Sequence, residues 1–420
     1  MRDPRVCILA HAHPDFSKGG GELAAFRQFA TLRDAGQDPV LVAALETVDW
    51  GGTRPALPGL MPHAPGEHVF PLDGMAPDRL GWENGRQRAA LVTFLAGLGV
   101  GVYHLHHYWR LGLDLISDLM EARPDALFVL TLHEMLAICM NHGQMVRTGS
   151  RELCQRDSPL RCLSCFPDRG LDHIALRKAA MLATLRRFDR LIYPSAFLRD
   201  RYEAWGLAGQ PAFVLENYLG DRLAALPRAE ASSPALARRF GFFGQPTPTK
   251  GLDVLLQALP LALREERRIT LTVHGCAQEE ALRLFPHLAG AIEAAGRSLA
   301  FLGRYDPDDA VRLMRGVGWV VVPSIWWENS PTVIQEARRA GTPLIVSDIG
   351  GMAEKVQEGV DGLHAQRGSP MDLARAMVEA AQPATRARIG GTVRDVIGRD
   401  AFLAGLCQVY ARPGLQAAAE

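Results

Sequence analysis

The chain has 420 residues, enough for two domains, and its 48% hydrophobic and 22% charged residues are ordinary for a globular protein. Its 46 basic and 46 acidic side chains cancel to a net charge of zero, which argues against a nucleic-acid partner and against broad attraction to an anionic membrane. No apolar run is long enough to span a bilayer, and the N-terminus does not have the pattern of a signal peptide, so the sequence predicts a cytoplasmic protein and leaves only peripheral membrane contact open.

The first predicted elements are a strand, a glycine-rich loop and a helix. The apolar run Val6–Ala10 predicts the strand, and Gly19–Gly21 precede a segment with helical spacing of apolar residues. Such a loop brings backbone amides close to a phosphate, which makes Gly20 and Gly21 candidate binding residues, although a simple tight turn has the same composition. Residues 47–85 are rich in Gly and Pro without periodicity, and they are predicted to form a long loop.

Histidines mark the ends of the next two predicted strands. In the strand Val102–His107, His104 and His106 point to one face and His107 to the other, which argues against a three-histidine metal site. His133 follows the strand Leu127–Leu132. Ligands bind at the carboxyl ends of strands in open α/β sheets, so His133 is a candidate residue of a catalytic cleft.

Four of the seven cysteines lie between residues 138 and 167: Cys139, Cys154, Cys162 and Cys165. Cys162 and Cys165 have the CxxC spacing, which is half of a typical zinc pattern. A structural zinc ion, four free thiols and a redox pair all remain open, and His142 could replace one metal ligand. The odd number of cysteines argues against a disulfide scaffold.

The second half restarts after a linker at residues 224–233. A predicted strand, Arg239–Gly244, leads into a loop that contains Lys250, and a helix begins at Leu252. A lysine in a loop between a strand and a helix is well placed to neutralise a leaving diphosphate.

The most informative stretch follows the buried strand Trp319–Val322. Ser330 and Pro331 predict the N-cap and first position of a helix that ends at Gly341. Glu328 lies in the loop before this helix, and Glu336 lies about 8 Å along it. A free helix N-terminus suits phosphate, and two carboxylates suit hydroxyl-rich groups, so the stretch predicts a sugar-nucleotide site. A capped helix with a solvated Glu336 is the alternative.

On these motifs the sequence resembles the glycosyltransferase family 4 group of retaining enzymes. The resemblance is carried by Glu328 and Glu336, with seven residues between them, and by Lys250 followed by Gly251. It implies an α/β, GT-B fold in which two Rossmann-like, doubly wound domains face each other across a cleft. Residues 1–223 would form the acceptor domain, residues 234–398 the donor domain, and residues 399–420 a helix that crosses back.

The resemblance also implies roles for individual residues. Glu328 would contact the transferred sugar and Glu336 the ribose, while His133 and Lys250 would complete the catalytic set. The implied donor-binding residues are Gly20, Gly21, Gln245, Lys250, Arg304, Asn329, Ser330, Thr332, Val333 and Glu336. Two departures from the family pattern matter: Gln245 stands where the family has Arg, and Pro331 stands where it often has Gly and cannot donate an amide.

The function implied by the resemblance is transfer of a hexose from a nucleoside-diphosphate sugar to an acceptor hydroxyl. The acceptor would belong to polysaccharide, glycolipid or other glycoconjugate synthesis, and the chemistry would require no metal cofactor. A non-catalytic sugar-nucleotide-binding protein and a sugar-nucleotide epimerase of the same fold are the alternatives.

Overall fold

The computed structural model describes residues 5–17, 19–45, 60–72, 75–76, 80–227 and 236–411. These residues form two α/β domains, each built on a mainly parallel sheet with helices packed against it. The predicted fold class is confirmed. Among the described residues, no helix combines the length and the apolar character that crossing a bilayer requires.

The N-terminal sheet has eight strands in the order β10-β9-β8-β7-β1-β2-β4-β3. Its strands are β1 Val6–Ala10, β2 Val40–Leu45, β3 Met61–Ala64, β4 Glu67–Pro71, β7 Val102–Leu105, β8 Leu127–Thr131, β9 Arg190–Tyr193 and β10 Ala212–Val214. All neighbours pair in parallel except β3 and β4. A separate hairpin joins β5 Met75–Ala76 to β6 Gly81–Trp82.

The helices of the N-terminal domain flank this sheet. They are α1 Gly20–Asp34, α2 Gly85–Gly97, α3 Leu113–Ala122, α4 Pro159–Cys165, α5 Leu171–Leu185, α6 Ala196–Tyr202 and α7 Asp221–Ala224. The strands β1, β2, β7 and β8 are buried along their whole length, as expected of a parallel sheet that is covered on both faces.

The C-terminal sheet has six parallel strands in the order β13-β12-β11-β14-β15-β16. They are β11 Arg239–Phe243, β12 Thr270–His274, β13 Leu299–Phe301, β14 Trp319–Val322, β15 Leu344–Ser347 and β16 Gly362–Ala365. Its helices are α8 Leu252–Glu265, α9 Gln278–Leu284, α10 Ala289–Ala295, α11 Ala310–Met314, α12 Thr332–Ala340, α13 Gly350–Lys355, α14 Pro370–Ala380 and α15 Pro383–Gly390.

The last described helix, α16 Arg399–Tyr410, packs on the N-terminal domain. Its apolar residues Phe402 and Leu406 share a core with Val6 and Ile8 of β1. The chain therefore enters the second domain and returns to the first, which ties the two domains together at one side.

The prediction of a loop at residues 47–85 is wrong where this segment forms the strands β3 to β6. Strand β4 pairs in parallel with β2 and extends the main sheet, and β3 is added at its edge. Both strands are short, and Pro62 and Pro71 obscure their alternation of apolar residues. Residues 47–59, 73–74 and 77–79 of the predicted loop, and residues 228–233 of the predicted linker, lie outside the described residues.

Candidate functional site

A cavity of about 980 Å³ lies between the two domains, at the carboxyl ends of both sheets. Loops after β1 and β8 line it from the N-terminal domain, and loops after β11 and β14 line it from the other. Ten predicted site residues line it: Gly20, Gly21, His133, Lys250, Glu328, Asn329, Ser330, Thr332, Val333 and Glu336. The folds of both sheets thus bring distant parts of the sequence to one cleft, as expected for open α/β sheets.

Glu328 is held rigidly by three donors. Its Oε1 accepts hydrogen bonds from Lys250 Nζ at 2.7 Å, Ser324 Oγ at 2.8 Å and Trp326 Nε1 at 2.9 Å. The residue is buried, while the Lys250 side chain keeps 37% of its exposure. One carboxylate oxygen is therefore fixed by the protein, and the ammonium group of Lys250 keeps protons for a further acceptor in the cleft.

Glu336 lies on the buried face of α12, and its environment is much less polar than that of Glu328. Burial raises its pKa to about 7, although the positive charge of Arg27 from α1 lowers it in part. Tyr305 also lines the cavity, and its pKa is raised by burial and, to a smaller extent, by the nearby charge of Glu336. A buried carboxyl group beside a cleft is well suited to accept hydrogen bonds from ligand hydroxyls.

The start of α12 differs from the prediction by one position. Pro331 is the N-cap and Thr332 the first helical residue, because the Ser330 hydroxyl donates to Glu216 Oε1 at 2.9 Å instead of capping the helix. The predicted N-cap Ser330 is therefore wrong. The amides of Thr332 and Val333 lie in the first turn, where a helix has no internal acceptor for them, and both residues line the cavity.

The glycine loop of the N-terminal domain faces the start of α12. A Cβ atom at Gly20 would lie 3.9 Å from Thr332 Oγ1, and one at Gly21 would lie 3.2 Å from the His11 ring. The N-termini of α1 and α12 therefore approach each other across the cleft. Glu22 folds back over this loop, and its Oε1 accepts from Ser17 Oγ at 3.0 Å.

His133 is the end of a buried chain of hydrogen bonds. Its Nε2 lies 3.1 Å from His106 Nδ1, and His106 Nε2 lies 3.1 Å from Gln28 Oε1. The Gln28 amide donates to Tyr410 Oη at 2.9 Å and lies 2.7 Å from His104 Nδ1. Burial lowers the pKa of His133 to about 3, so the ring is neutral at physiological pH.

Two predicted donor contacts lie outside the cavity. The Arg304 side chain is 84% exposed, pairs with Glu280 at 3.2 Å and does not line the cavity, so its contact with the base stays a prediction. The neighbouring Tyr305 takes its place on the wall. Gln245 is exposed and does not line the cavity, whereas the adjacent Gly244 does.

Asn329, a predicted donor-binding residue, lines the cavity, and its side chain also bonds the other domain. Its Oδ1 accepts from Ser195 Oγ at 2.5 Å, and its Nδ2 donates to the His133 carbonyl at 3.1 Å. The side chain therefore joins the two domains behind the cleft. No local pattern marks this contact, because it links residues that are 134 positions apart.

Two residues that support the site carry no signal in the sequence: Trp326, which lines the cavity, and Arg27 of α1, which does not line it. Trp326 fixes Glu328, and Arg27 places a positive charge near Glu336. The four cysteines of residues 138–167 surround a separate small cavity on the N-terminal domain, and none of them forms a disulfide. His142 lines the main cleft rather than that small cavity.

Comparisons with known proteins show which families and folds this chain resembles. The model of a family described as glycosyl transferases group 1 matches residues 237–382. A phosphatidyl-myo-inositol mannosyltransferase of Mycobacterium leprae is 31% identical over 49% of this chain and 54% of its own length. A D-inositol 3-phosphate glycosyltransferase of Nocardia farcinica is 31% identical over 66% of this chain and 58% of its own length. The chain thus matches little more than half the length of these relatives.

Solved structures show that the fold extends over the whole chain. Anabaena Alr3699/HepE, crystallised with UDP, superposes with a TM-score of 0.64 at 17% identity and covers 96% of this chain and 100% of its own. Sucrose-phosphate synthase of Thermosynechococcus elongatus gives a TM-score of 0.64 at 17% identity, with 97% and 96% covered. At these identities the likeness shows a shared two-domain architecture.

Proposed function

Because residues 237–382 match the model of the group 1 family of glycosyl transferases and the chain has the GT-B fold, we propose that this protein is a retaining glycosyltransferase. It moves a hexose from a nucleoside-diphosphate sugar to an acceptor hydroxyl in polysaccharide, glycolipid or other glycoconjugate synthesis. The relatives named above as glycosyltransferases, and the UDP bound to Alr3699/HepE, support a nucleotide-sugar donor.

The observation that carries the proposal is the pairing of Lys250 with Glu328 opposite the first turn of α12. Lys250 Nζ contacts Glu328 Oε1 at 2.7 Å, and the amides of Thr332 and Val333 lie on the same cavity wall. A cation and a helix N-terminus together attract a diphosphate. The carboxylate beside them is anchored by one oxygen and fixed in direction, which suits it to orient the hydroxyls of a sugar.

Glu336 is proposed to bind the ribose. It lies one turn beyond Thr332 on α12, so a nucleotide whose diphosphate lies at the helix start places its ribose along the helix. Two adjacent ribose hydroxyls can donate to one carboxylate, and such charge-assisted bonds are strong in a buried site. Tyr305 then lies beside the nucleoside end of the donor.

In the proposed reaction, the bond between the anomeric carbon and the diphosphate oxygen breaks, and its electron pair leaves with the diphosphate. Lys250 and the α12 amides stabilise that negative charge. The acceptor oxygen attacks the anomeric carbon from the face that the diphosphate leaves, and its proton passes to a phosphate oxygen. The new bond therefore keeps the anomeric configuration of the donor.

The acceptor is proposed to enter from the N-terminal domain. The cavity wall there contains the neutral ring of His133 together with Trp109 and Phe166, and two basic side chains, Arg169 and His173, are exposed at its rim. Aromatic rings pack against the apolar faces of sugars, and a neutral imidazole can bond a hydroxyl without a change of charge.

A donor screen followed by product analysis tests the proposal. Thermal shift with UDP, GDP, ADP and dTDP sugars should identify one stabilising donor, and NMR of the product of donor hydrolysis or transfer should show the anomeric configuration retained. Donor binding without any turnover would favour a non-catalytic binding protein, and an epimerised free donor would favour an epimerase. Stabilisation that survives Glu336→Ala unchanged would contradict the assigned site.

A further inference from the structure

The loop between β8 and α5 carries four of the seven cysteines of the chain. Its first part packs into the N-terminal core through Met135, Ala137, Ile138 and Met145, whereas its last part, α4, does not. Helix α4 buries none of its residues, and Leu160 is 72% exposed. An isolated bridge joins Val146 to Leu153, and α4 otherwise meets the rest of the loop through polar contacts such as Arg147 with Ser164. Burial of apolar surface therefore does little to order α4.

The same loop holds three non-glycine residues in the left-handed region. The φ angles are 49° at His142, 49° at Met145 and 57° at Arg151. Each such residue is unfavourable by about 1 kcal/mol or more unless the surroundings impose it. Core packing accounts for Met145, which is 1% exposed, whereas His142 and Arg151 are exposed and have no core packing to impose their conformations.

The four thiols lie where a bound ion could order this part of the loop. Cys139, Cys154, Cys162 and Cys165 all line one cavity of about 40 Å³, which has room for an ion but not for a small organic molecule. They come from three separate parts of the loop: its start, the segment after the bridge, and α4. A single bound ion would therefore connect every part of the loop.

We propose that these four cysteines bind a structural zinc ion. Zinc prefers tetrahedral coordination, and closed sites made of four thiolates are a common structural type. Each thiol loses its proton when it binds, so zinc uptake releases protons and is favoured at higher pH. His142 is not a ligand in this arrangement, because it lines the donor cleft instead of the small cavity.

The sulfur atoms surround the cavity but do not yet meet at coordination distance. Among the described residues, the one group whose three ligand atoms all lie within 4.8 Å of one another is His13, Asp15 and His63. In that group Asp15 already bonds His63 Nε2 at 2.7 Å, and Asp15 is exposed, so it is explained as a surface ion pair. Binding at the cysteines requires their side chains to turn inward, and α4, with no buried residue, is free of core contacts that would oppose this.

The site has a consequence for the cleft, because the same loop meets the second domain. Trp327, next to Glu328, donates through Nε1 to the Cys154 carbonyl at 3.1 Å. Arg367 donates to the Arg151 carbonyl at 2.9 Å. Met140 and Phe166 of the loop line the cleft itself. Zinc therefore holds the wall that faces the acceptor and fixes the segment before Glu328 through Trp327.

Metal analysis of the whole chain, purified without a histidine tag, tests the proposal. After incubation with zinc and a reductant and then desalting, the protein should retain about one zinc ion per chain. X-ray absorption at the zinc edge should show sulfur neighbours at about 2.3 Å, with no nitrogen at about 2.0 Å. Less than about a tenth of an ion per chain under these conditions, or a shell that contains nitrogen, overturns the proposal.

Matched variants locate the site and separate it from incidental thiol binding. Cys162→Ser combined with Cys165→Ser should lower the retained zinc at least tenfold, whereas Cys407→Ser and His142→Ala should leave it unchanged. If the double variant does not fold, release of zinc from the native protein by a mercurial reagent should require modification of four thiols. Recovery of these cysteines as disulfides from protein prepared under reductant contradicts the proposal.

Discussion

At the scale of single residues, Glu336 gives the clearest dependence on pH. Burial raises its pKa to about 7 from a usual value of 4.5. The deprotonated form accepts the ribose hydroxyls, so donor affinity should rise about tenfold as the pH increases from 6 to 8. Titration of binding with an intact nucleotide sugar measures this, since its diphosphate diester does not itself titrate in that range.

The same carboxyl group should lower the stability of the folded protein as the pH rises, which is opposite to its effect on donor affinity. Its pKa in the folded state lies above that in the unfolded chain, so its contribution to the free energy of unfolding is fully present below about pH 4.5 and is lost as the pH rises through 7. Glu336→Gln should remove both dependences together. Donor binding by the variant that still follows a pKa near 7 would show that another group controls the titration.

Lys250 and Glu328 form a pair whose members should not be equivalent. In Lys250→Ala, Glu328 keeps its bonds from Ser324 and Trp326, so its geometry is preserved while the leaving diphosphate loses a cation. We expect kcat to fall about 10²-fold to 10³-fold with a smaller change in KM. Single-turnover kinetics measure the chemical step, and Lys178→Ala, a lysine paired with Asp157 outside the cleft, is the matched control.

Gln28 is predicted to affect the reaction rate indirectly, by holding the His133 ring in one tautomer. Its Oε1 accepts from His106 Nε2, which leaves His106 Nδ1 to accept from His133 Nε2 and leaves His133 Nδ1 unprotonated. Gln28→Leu removes this restraint and should lower kcat about tenfold. Gln28→Glu keeps the acceptor and should retain more activity. Nitrogen NMR of the His133 ring distinguishes a lost tautomer from simple loss of packing.

At the scale of elements, the glycine loop sets how closely the two helix ends approach. A Cβ atom at Gly21 would meet the His11 ring at 3.2 Å and the His133 ring at 3.7 Å. Gly21→Ala should therefore displace the rings and raise KM for the donor several-fold, whereas Gly85→Ala, at a helix start with open space around it, should have no effect. Donor kinetics of the two variants provide the comparison.

The elements also show which inferences the sequence supports. The buried strands and the spacing of Glu328 and Glu336 are local patterns, and the structure places both carboxyl groups on the wall of one cavity. Side chains that bind across the domains have no local signal. Ser330 was predicted as an N-cap because its neighbours are typical of one, but Glu216, which is 114 residues away, accepts its hydroxyl hydrogen.

The same limit applies to the position of the Arg304 side chain and to the strands missed at residues 47–85. Arg304 follows β13 and Gly303, which has a φ of 71°, and its side chain extends to Glu280 on the surface, whereas the next residue, Tyr305, lines the cavity. Strand β4 was missed because its pairing with β2 depends on a partner distant in sequence rather than on its own composition.

At the scale of the whole molecule, one group of the polar contacts between the domains lies at the edge formed by α13 and the start of α6. The Glu354 carboxylate of α13 accepts from the amides of Ala196 at 3.0 Å and Phe197 at 2.6 Å, so it caps α6 of the other domain. Lys355 donates to the Pro194 carbonyl at 2.8 Å and contacts Glu216 at 3.2 Å. This edge helps to set the angle between the two domains, and closure of the cleft starts from that angle.

Breaking that edge should open the cleft without damaging either domain. Glu354→Ala removes the acceptor of the Ala196 and Phe197 amides, and with it a link between the domains. The loss of such an interaction at a helix N-terminus costs about 1 kcal/mol. We expect a larger radius of gyration by X-ray scattering without donor, a KM for the donor raised several-fold, and a kcat that changes less, because bound donor draws the domains together again. Asp200→Asn, on α6 but paired with Arg199 of the same helix, should change none of these quantities. An unchanged radius in Glu354→Ala, with both domains folded, would mean that the remaining contacts between the domains, including those of Asn329, Lys355 and Trp327, set the domain angle without it.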